Sequence, residues 1–196
     1  PIGPVAQWMN INRGDRFDYL VSVSSKNAAL DTRYSERVSA TPNAPKRTFK
    51  NGDINTTIIR TVSGRTITLY FDTQMPRPYD MIFRVQGTKG IYSGTLNNIY
   101  LEGKSPKKET WEPFGPYIQE YDHPLWKAVG EKAKGYAHEG GDYIELYRLI
   151  KALRAGTSLD MDVYDAATWS VICPMTERSV ANRGRTEDFP DFTRGR

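Results

Sequence analysis

The stretch that decides the fold of this chain reads Asn55-Thr56-Thr57-Ile58-Ile59-Arg60-Thr61-Val62-Ser63-Gly64-Arg65-Thr66-Ile67-Thr68-Leu69-Tyr70-Phe71-Asp72. β-Branched and aromatic residues dominate both halves of it, and such residues favour strands. The pair Ser63-Gly64 separates the halves, and a two-residue connection containing glycine is a hairpin signal. The stretch therefore predicts two antiparallel strands, 55–62 and 65–72.

Further strands are predicted on both sides of this hairpin. Residues 17–24 alternate, which is typical of a half-buried strand, and place on one face Phe17, Tyr19, Val21 and Val23. Beyond the break at Pro76-Arg77-Pro78, more strands are expected at 80–86, 91–93 and 98–101. Together these segments predict an antiparallel meander.

The last third of the chain is predicted to be helical. Residues 142–155 begin at Asp142, a candidate helix N-cap, and stop before Gly156. Their apolar stripe consists of Leu146, Leu149, Ile150 and Leu153. A second helix is expected over 162–182, with a kink or interruption at Pro174.

These elements predict an α+β fold, an open and mainly antiparallel β-sheet with helices packed on one face. We expect a single domain over residues 1–196. Residues 103–120 are rich in proline and charge, and we interpret them as a surface excursion whose length favours a functional loop. Residues 185–196 are expected to be a polar tail.

Composition excludes several classes of function. The net charge is +4, and basic residues alternate with acids along most of the chain, so we expect no nucleic-acid binding. No apolar run approaches the ~18 residues that span a membrane. Two histidines and one cysteine do not make a common zinc site without carboxylates, and we predict no metal. The cysteine, Cys173, lies between Ile172 and Pro174 and is expected to be a buried, unreactive thiol.

Five blocks of the sequence occur in the order of one known family. They are 3–16, from Gly3-Pro4-Val5 to Arg16; Pro76-Arg77-Pro78-Tyr79; 85–90, Val85 to Gly90; His138-Glu139-Gly140-Gly141-Asp142-Tyr143; and 159–167, Leu159 to Ala167. By these blocks the chain resembles the C-terminal part of glycoside hydrolase family 109. Those are NAD-dependent bacterial glycosidases related to the Gfo/Idh/MocA oxidoreductases. The resemblance implies the same α+β architecture.

The resemblance also implies a function for a longer protein. The named activity of the family is α-N-acetylgalactosaminidase, by transient oxidation of the sugar C3 hydroxyl with bound NAD, elimination of the aglycone and addition of water. No Gly-x-Gly-x-x-Gly follows a strand in this chain, so the resemblance implies an upstream Rossmann domain that holds most of the NAD. We expect residues 1–196 alone to be inactive and the protein to form a homo-oligomer through the sheet.

Two other functions stay open. A Gfo/Idh/MocA sugar oxidoreductase would share the fold but have net redox turnover. A non-catalytic carbohydrate-binding or dimerisation module is the second alternative. The resemblance implies a bacterial source and leaves the periplasm, the exterior and the cytoplasm open.

Tyr79, Arg77 and His138 are the candidate substrate-binding residues. In the resembled family the tyrosine of the Pro-Arg-Pro-Tyr block contacts the sugar; a sheet-edge tyrosine is the alternative for Tyr79. Arg77 could pair with a substrate oxygen, or be an ordinary surface arginine. His138 is also the one candidate catalytic residue, as a proton carrier, or it is a loop histidine that caps local backbone.

Asn12, Arg13 and Arg16 are the candidate cofactor-binding residues. They belong to a dense polar block that follows a short helix predicted over residues 5–11, where Pro4 takes the place of a first-turn proline. In a two-domain enzyme such a block could line the cleft between domains and touch the nicotinamide half of NAD. A salt-bridged turn is the alternative.

Overall fold

The computed structural model describes residues 2–38, 41, 43, 45, 47, 49–72 and 74–194, and its contacts divide the chain into two compact units. The first unit comprises residues 1–77 and 161–196, and the second comprises residues 78–160. Antiparallel strands and α-helices occur in both units, and the predicted α+β class is confirmed. The expectation of a single domain over the whole chain stays a prediction.

A four-stranded antiparallel sheet in the order β3-β2-β1-β8 forms the frame of the first unit. Its strands are β1 (Phe17–Ser24), β2 (Ile54–Thr61), β3 (Thr66–Asp72) and β8 (Glu187–Asp188). The predicted hairpin is present, with Ile59 opposite Ile67. Its turn is closed by the Gly64 amide, which donates to the Thr61 carbonyl at 2.9 Å.

One face of this sheet is covered by α1 (Ile2–Trp8), α6 (Val163–Ser170) and α7 (Ile172–Ala181). The same unit contains α2 (Ala29–Val38), which has no buried residue. α7 packs on β1, and the buried core includes Ala6, Leu20, Ile59, Ile67 and Met175. Strand residues of the opposite parity, Val23, Ile58 and Tyr70, are exposed. The sheet therefore has one packed face and one open face. The apolar face expected from the alternation in residues 17–24 is not the packed one along most of β1, because Leu20 and Ser22 are buried and Val23 is exposed.

The helix expected over 162–182 is two helices, and the break is not at Pro174. α6 ends at Ser170 and α7 begins at Ile172, so Pro174 lies in the first turn of α7. A proline is tolerated there because the first amides of a helix have no partner within the helix. The prediction of a buried thiol is wrong. Cys173 is exposed because Ile172 and Met175 occupy the core face of α7.

A second four-stranded antiparallel sheet, in the order β4-β5-β6-β7, lies in the second unit. Its strands are β4 (Arg84–Gly87), β5 (Gly90–Ser93), β6 (Asn98–Leu101) and β7 (Glu112–Pro113). The expected meander is thus divided between two sheets. β4 starts four residues later than the predicted start at Asp80, because Ile82 has a φ of 52° and leaves the β conformation.

The segment expected as a surface excursion, 103–120, is a structured connection. It contains β7, the 3-10 turn Gly115–Tyr117 and most of α3 (Ile118–Tyr121). Lys104 fastens it: its ammonium bonds the Glu120 carboxylate and lies 4.8 Å from the Tyr121 ring centroid. The hydrogen bond to Glu120 raises the pKa of Lys104 to about 12.

The helices α4 (Pro124–Ala133) and α5 (Gly141–Ala155) complete the second unit. They pack through Val129, Ala133 and Ile144. The prediction that Asp142 is the N-cap of α5 is wrong. Gly140 is the N-cap, and Asp142 lies in the first turn of α5. The apolar stripe of α5 is exposed, between 37% at Leu149 and 68% at Leu153, because Tyr143, Ile144 and Tyr147 provide the packing face.

In the part of the chain that the structure describes, no helix combines the length and apolarity needed to cross a membrane. The expected polar tail is folded as far as residue 194: it supplies β8, and Phe189 enters the core against Phe17 with ring centroids 5.0 Å apart.

Candidate functional site

The polar block after α1 is built around the buried carboxylate of Asp165, whose side chain is 1% exposed. Arg13 donates to both of its oxygens, at 2.9 and 2.6 Å, and Asn12 donates to one at 3.1 Å. Burial alone would raise the pKa of Asp165, but hydrogen bonds from Arg13, the Asp162 amide and Asn12 outweigh it and hold that pKa below its ordinary value. The block is thus held rigidly against α6.

Asp15 makes a second buried anchor in the same block. Its carboxylate accepts from Arg65 at 3.0 Å and from the backbone amides of Arg16 and Ser63 at 2.9 and 3.1 Å. Burial pushes its pKa upward, but the Thr61 side chain and these amides lower it overall. The block is therefore fastened to the β2–β3 turn as well as to α6.

A pocket of about 250 Å³ opens beside this block in the first unit. Its lining residues are Asn12, Gly14, Asp15, Arg16, Val62, Ser63, Asp191 and Thr193. Arg16 and Asn12 also border a smaller neighbouring pocket lined by Phe17 and Phe189. Within the described ranges, the Arg16 guanidinium has no hydrogen-bond or ion-pair partner. Arg16 is thus the residue of the three that is available to a ligand, whereas Asn12 and Arg13 are engaged with Asp165.

Tyr79 lies in the second unit on the loop that precedes β4. Its side chain is 89% exposed, more than any other large hydrophobic side chain in the described residues. The loop is held by its neighbour Asp80, whose carboxylate accepts from the Ile82 amide at 2.7 Å and from the Thr95 hydroxyl at 3.0 Å. A phenol presented in this way can stack on a sugar face or exchange a hydrogen bond with a hydroxyl.

Arg77 is the last residue of the segment 1–77 in the first unit. Its Nε donates to the Asp72 carboxylate at 3.1 Å, and its guanidinium also donates to the Asp72 carbonyl at 3.4 Å. Asp72 ends β3, so Arg77 closes the turn that follows the strand. This pairing accounts for Arg77 as a structural arginine, and its predicted role in substrate binding stays a prediction.

His138 stands in a tight turn before α5. His138, Glu139 and Gly140 all have positive φ, at 51°, 56° and 92°. The His138 Nδ1 lies 2.7 Å from the Asp142 carboxylate, and the ring is 83% exposed. An ionised carboxylate only accepts hydrogen bonds, so Nδ1 carries the hydrogen and Nε2 faces outward. No hydrogen bond or ring contact joins His138 to Tyr79 in the described residues.

The carboxylate that organises the polar block, Asp165, was not singled out by sequence reasoning. Its signal is local: Asp162 and Asp165 form a reciprocal capping box at the start of α6. The pattern of a capping residue followed three positions later by an acid is readable, but its partner Arg13 is 152 positions away. In the described residues, no three His, Cys, Asp or Glu side chains cluster closely enough to hold a metal ion.

Solved structures with a similar fold are oxidoreductases. Levoglucosan dehydrogenase in complex with NADH and L-sorbose superposes with a TM-score of 0.61 at 18% identity, over 90% of this chain and 45% of that one. An oxidoreductase domain protein from Kribbella flavida gives a TM-score of 0.55 at 15% identity, over 95% of this chain and 48% of that one. The likeness confirms the predicted α+β fold class.

Sequence comparison gives the family. The family model described as glycosyl hydrolase 109, C-terminal domain, matches residues 1–196. A glycosyl hydrolase family 109 protein of Solibacter usitatus (strain Ellin6076) is 47% identical over all of this chain and 44% of its own length. Another, from Shewanella sp. (strain W3-18-1), is 45% identical over 99% of this chain and 43% of its own. The chain belongs to glycosyl hydrolase family 109, as its C-terminal domain, and it spans less than half the length of these bacterial relatives.

Proposed function

We propose that this chain is the sugar-facing half of an NAD-dependent glycosidase that acts on α-N-acetylgalactosaminides. The observation that carries the proposal is the exposed Tyr79, held on a tied loop within a family 109 C-terminal domain. Tyr79 binds the sugar, by stacking or through its hydroxyl. His138, with Nε2 outward and Nδ1 held by Asp142, is the candidate proton carrier.

The residues that the structure describes fit contact with one part of NAD and do not provide a whole NAD site. NAD, when bound, supplies reversible removal of hydride from the sugar C3 carbon, which makes the neighbouring proton acidic enough for elimination. We infer that Arg16 faces an anionic part of the cofactor, because its guanidinium is exposed at the pocket and unpaired in the described residues. Asn12 and Arg13 support it by fastening the block to Asp165. An upstream domain would provide the rest of the NAD site.

The runner-up is a sugar oxidoreductase with net redox turnover, which the likeness to levoglucosan dehydrogenase favours. One assay on the full-length protein separates the two functions. It follows aryl release from an aryl α-N-acetylgalactosaminide together with absorbance at the wavelength of NADH. We expect aryl release without net NADH; NADH formed in proportion to sugar consumed would establish the oxidoreductase instead.

A further inference from the structure

The loop that carries Tyr79 is tied to the turn between β5 and β6. The Asp80 carboxylate accepts from the Ile82 amide at 2.7 Å, and each of its oxygens lies 3.0 Å from the Thr95 hydroxyl. The Phe83 carbonyl accepts from the Gly94 amide at 2.7 Å. We call the Asp80, Ile82 and Thr95 contacts the tether. Because Thr95 is 15 positions from Asp80, the tether fixes the loop to the sheet rather than to itself.

The conformation of the loop depends on the tether. Ile82 has a φ of 52°, a left-handed conformation that a β-branched residue adopts only at a cost in free energy. Left to its own preference, the chain would place Ile82 in the β region. The β5–β6 turn approaches the loop closely at Phe83, because a Cβ at Gly94 would lie 3.1 Å from the Phe83 carbonyl oxygen. The strained geometry is therefore held by contacts from both sides.

The Tyr79 phenol, directly before Asp80, takes no part in these contacts. The loop contains one strained residue, Ile82, and its only exposed aromatic ring points into solvent. Such backbone strain is expected where a loop serves a ligand. A ligand gains affinity when its partner group is already held in the bound position, because less conformational entropy is lost on binding. We infer that Asp80 and Thr95 are positioning residues that hold the backbone from which the Tyr79 phenol reaches the sugar. The inference rests on the proposed function, in which Tyr79 contacts the sugar.

The test uses the full-length protein and compares Thr95→Val with Thr95→Ser. Valine has nearly the shape of threonine but no hydroxyl, whereas serine keeps it. Thr95→Val should raise KM for an aryl α-N-acetylgalactosaminide about tenfold and leave kcat within about twofold. The reason is that Tyr79 contacts the sugar equally in the bound state and in the transition state, and losing such a contact changes KM. Thr95→Ser should have the same KM as wild type, because serine keeps the hydroxyl. Thr88→Val, at an exposed threonine in the turn between β4 and β5, is the matched control.

Hydrogen exchange at the Ile82 amide provides a readout that does not depend on activity. Exchange should be faster in Thr95→Val and Asp80→Ala than in wild type, and unchanged in Thr95→Ser. If Thr95→Val leaves both KM and this exchange as in wild type, the inference is overturned. It is also overturned if Thr95→Val lowers kcat and the urea midpoint together while KM stays constant, because that pattern belongs to a purely structural contact.

Tyr79→Phe and Tyr79→Ala separate failure of the inference from failure of the proposed function. If these changes raise KM and Thr95→Val does not, the sugar contact stands and the positioning role is overturned. If neither Tyr79 variant changes KM, the proposed sugar contact fails and the positioning role fails with it. The inference is supported when Tyr79→Ala and Thr95→Val raise KM and the double variant raises it no further than Tyr79→Ala alone.

Discussion

At the scale of single residues, the buried carboxylate of Asp165 is expected to have a large effect on stability. It accepts from Arg13 and Asn12 and closes the capping box of α6. Asp165→Asn should lower the free energy of unfolding by roughly 2 kcal/mol, less than for a fully buried ion pair because Arg13 is partly open to solvent. Urea unfolding measures it. Glu131→Gln, which breaks an exposed pair with Lys134, should cost less than about 0.5 kcal/mol.

The same carboxylates predict how stability depends on pH. The pKa values of Asp15 and Asp165 are lowered from 3.8, so the unfolded chain takes up these protons at higher pH than the folded chain does. Their stabilisation is complete above about pH 5 and is lost as pH falls through the folded pKa values. The urea midpoint should therefore decrease as the pH is lowered below about 4. The decrease should be less steep in Asp165→Asn than in wild type. An equal slope in both proteins would contradict the assignment.

At the scale of elements, Gly140 decides how α4 is joined to α5. Its φ is 92°, and a Cβ there would lie 2.8 Å from the Ala133 carbonyl. Gly140→Ala should therefore lower the free energy of unfolding by about 2 kcal/mol or more, through strain and a clash with backbone. Thermal unfolding followed by circular dichroism measures the change. Gly87→Ala is the control, because a Cβ there meets nothing within 4 Å; equal losses in both variants would contradict the geometry.

Elements with local signals could be predicted from the sequence, and those set by distant contacts could not. The hairpin at Ser63-Gly64 and the end of α5 before Gly156 follow from turn and cap chemistry within a few residues. The division of strands into two sheets depends on pairing across the chain, for example of Leu20 with Ile59 and Glu187. For the candidate site, exposure of Tyr79 agrees with the predicted role, whereas the engagement of Arg13 by Asp165 needed the fold.

At the scale of the whole molecule, the open face of the first sheet is the surface we propose for self-association. Val23, Ile58 and Tyr70 are half exposed there, and aligned apolar side chains on a solvent-facing sheet are typical of an interface. Ile58→Lys should weaken dimerisation about tenfold or more, as measured by sedimentation equilibrium. Leu146→Lys, on the exposed stripe of α5, is the matched control and should leave the dimer intact. A dimer unaffected by Ile58→Lys would place the contact elsewhere.

The central claim is that NAD binding and turnover need an upstream nucleotide-binding domain in addition to residues 1–196. Calorimetric titration with NAD tests this claim most directly. Residues 1–196 and the full-length protein are titrated side by side, each then assayed for aryl release. We predict that the full-length protein binds NAD and releases the aryl group, and that residues 1–196 alone do neither. Tight binding of NAD with turnover by residues 1–196 alone would contradict the account.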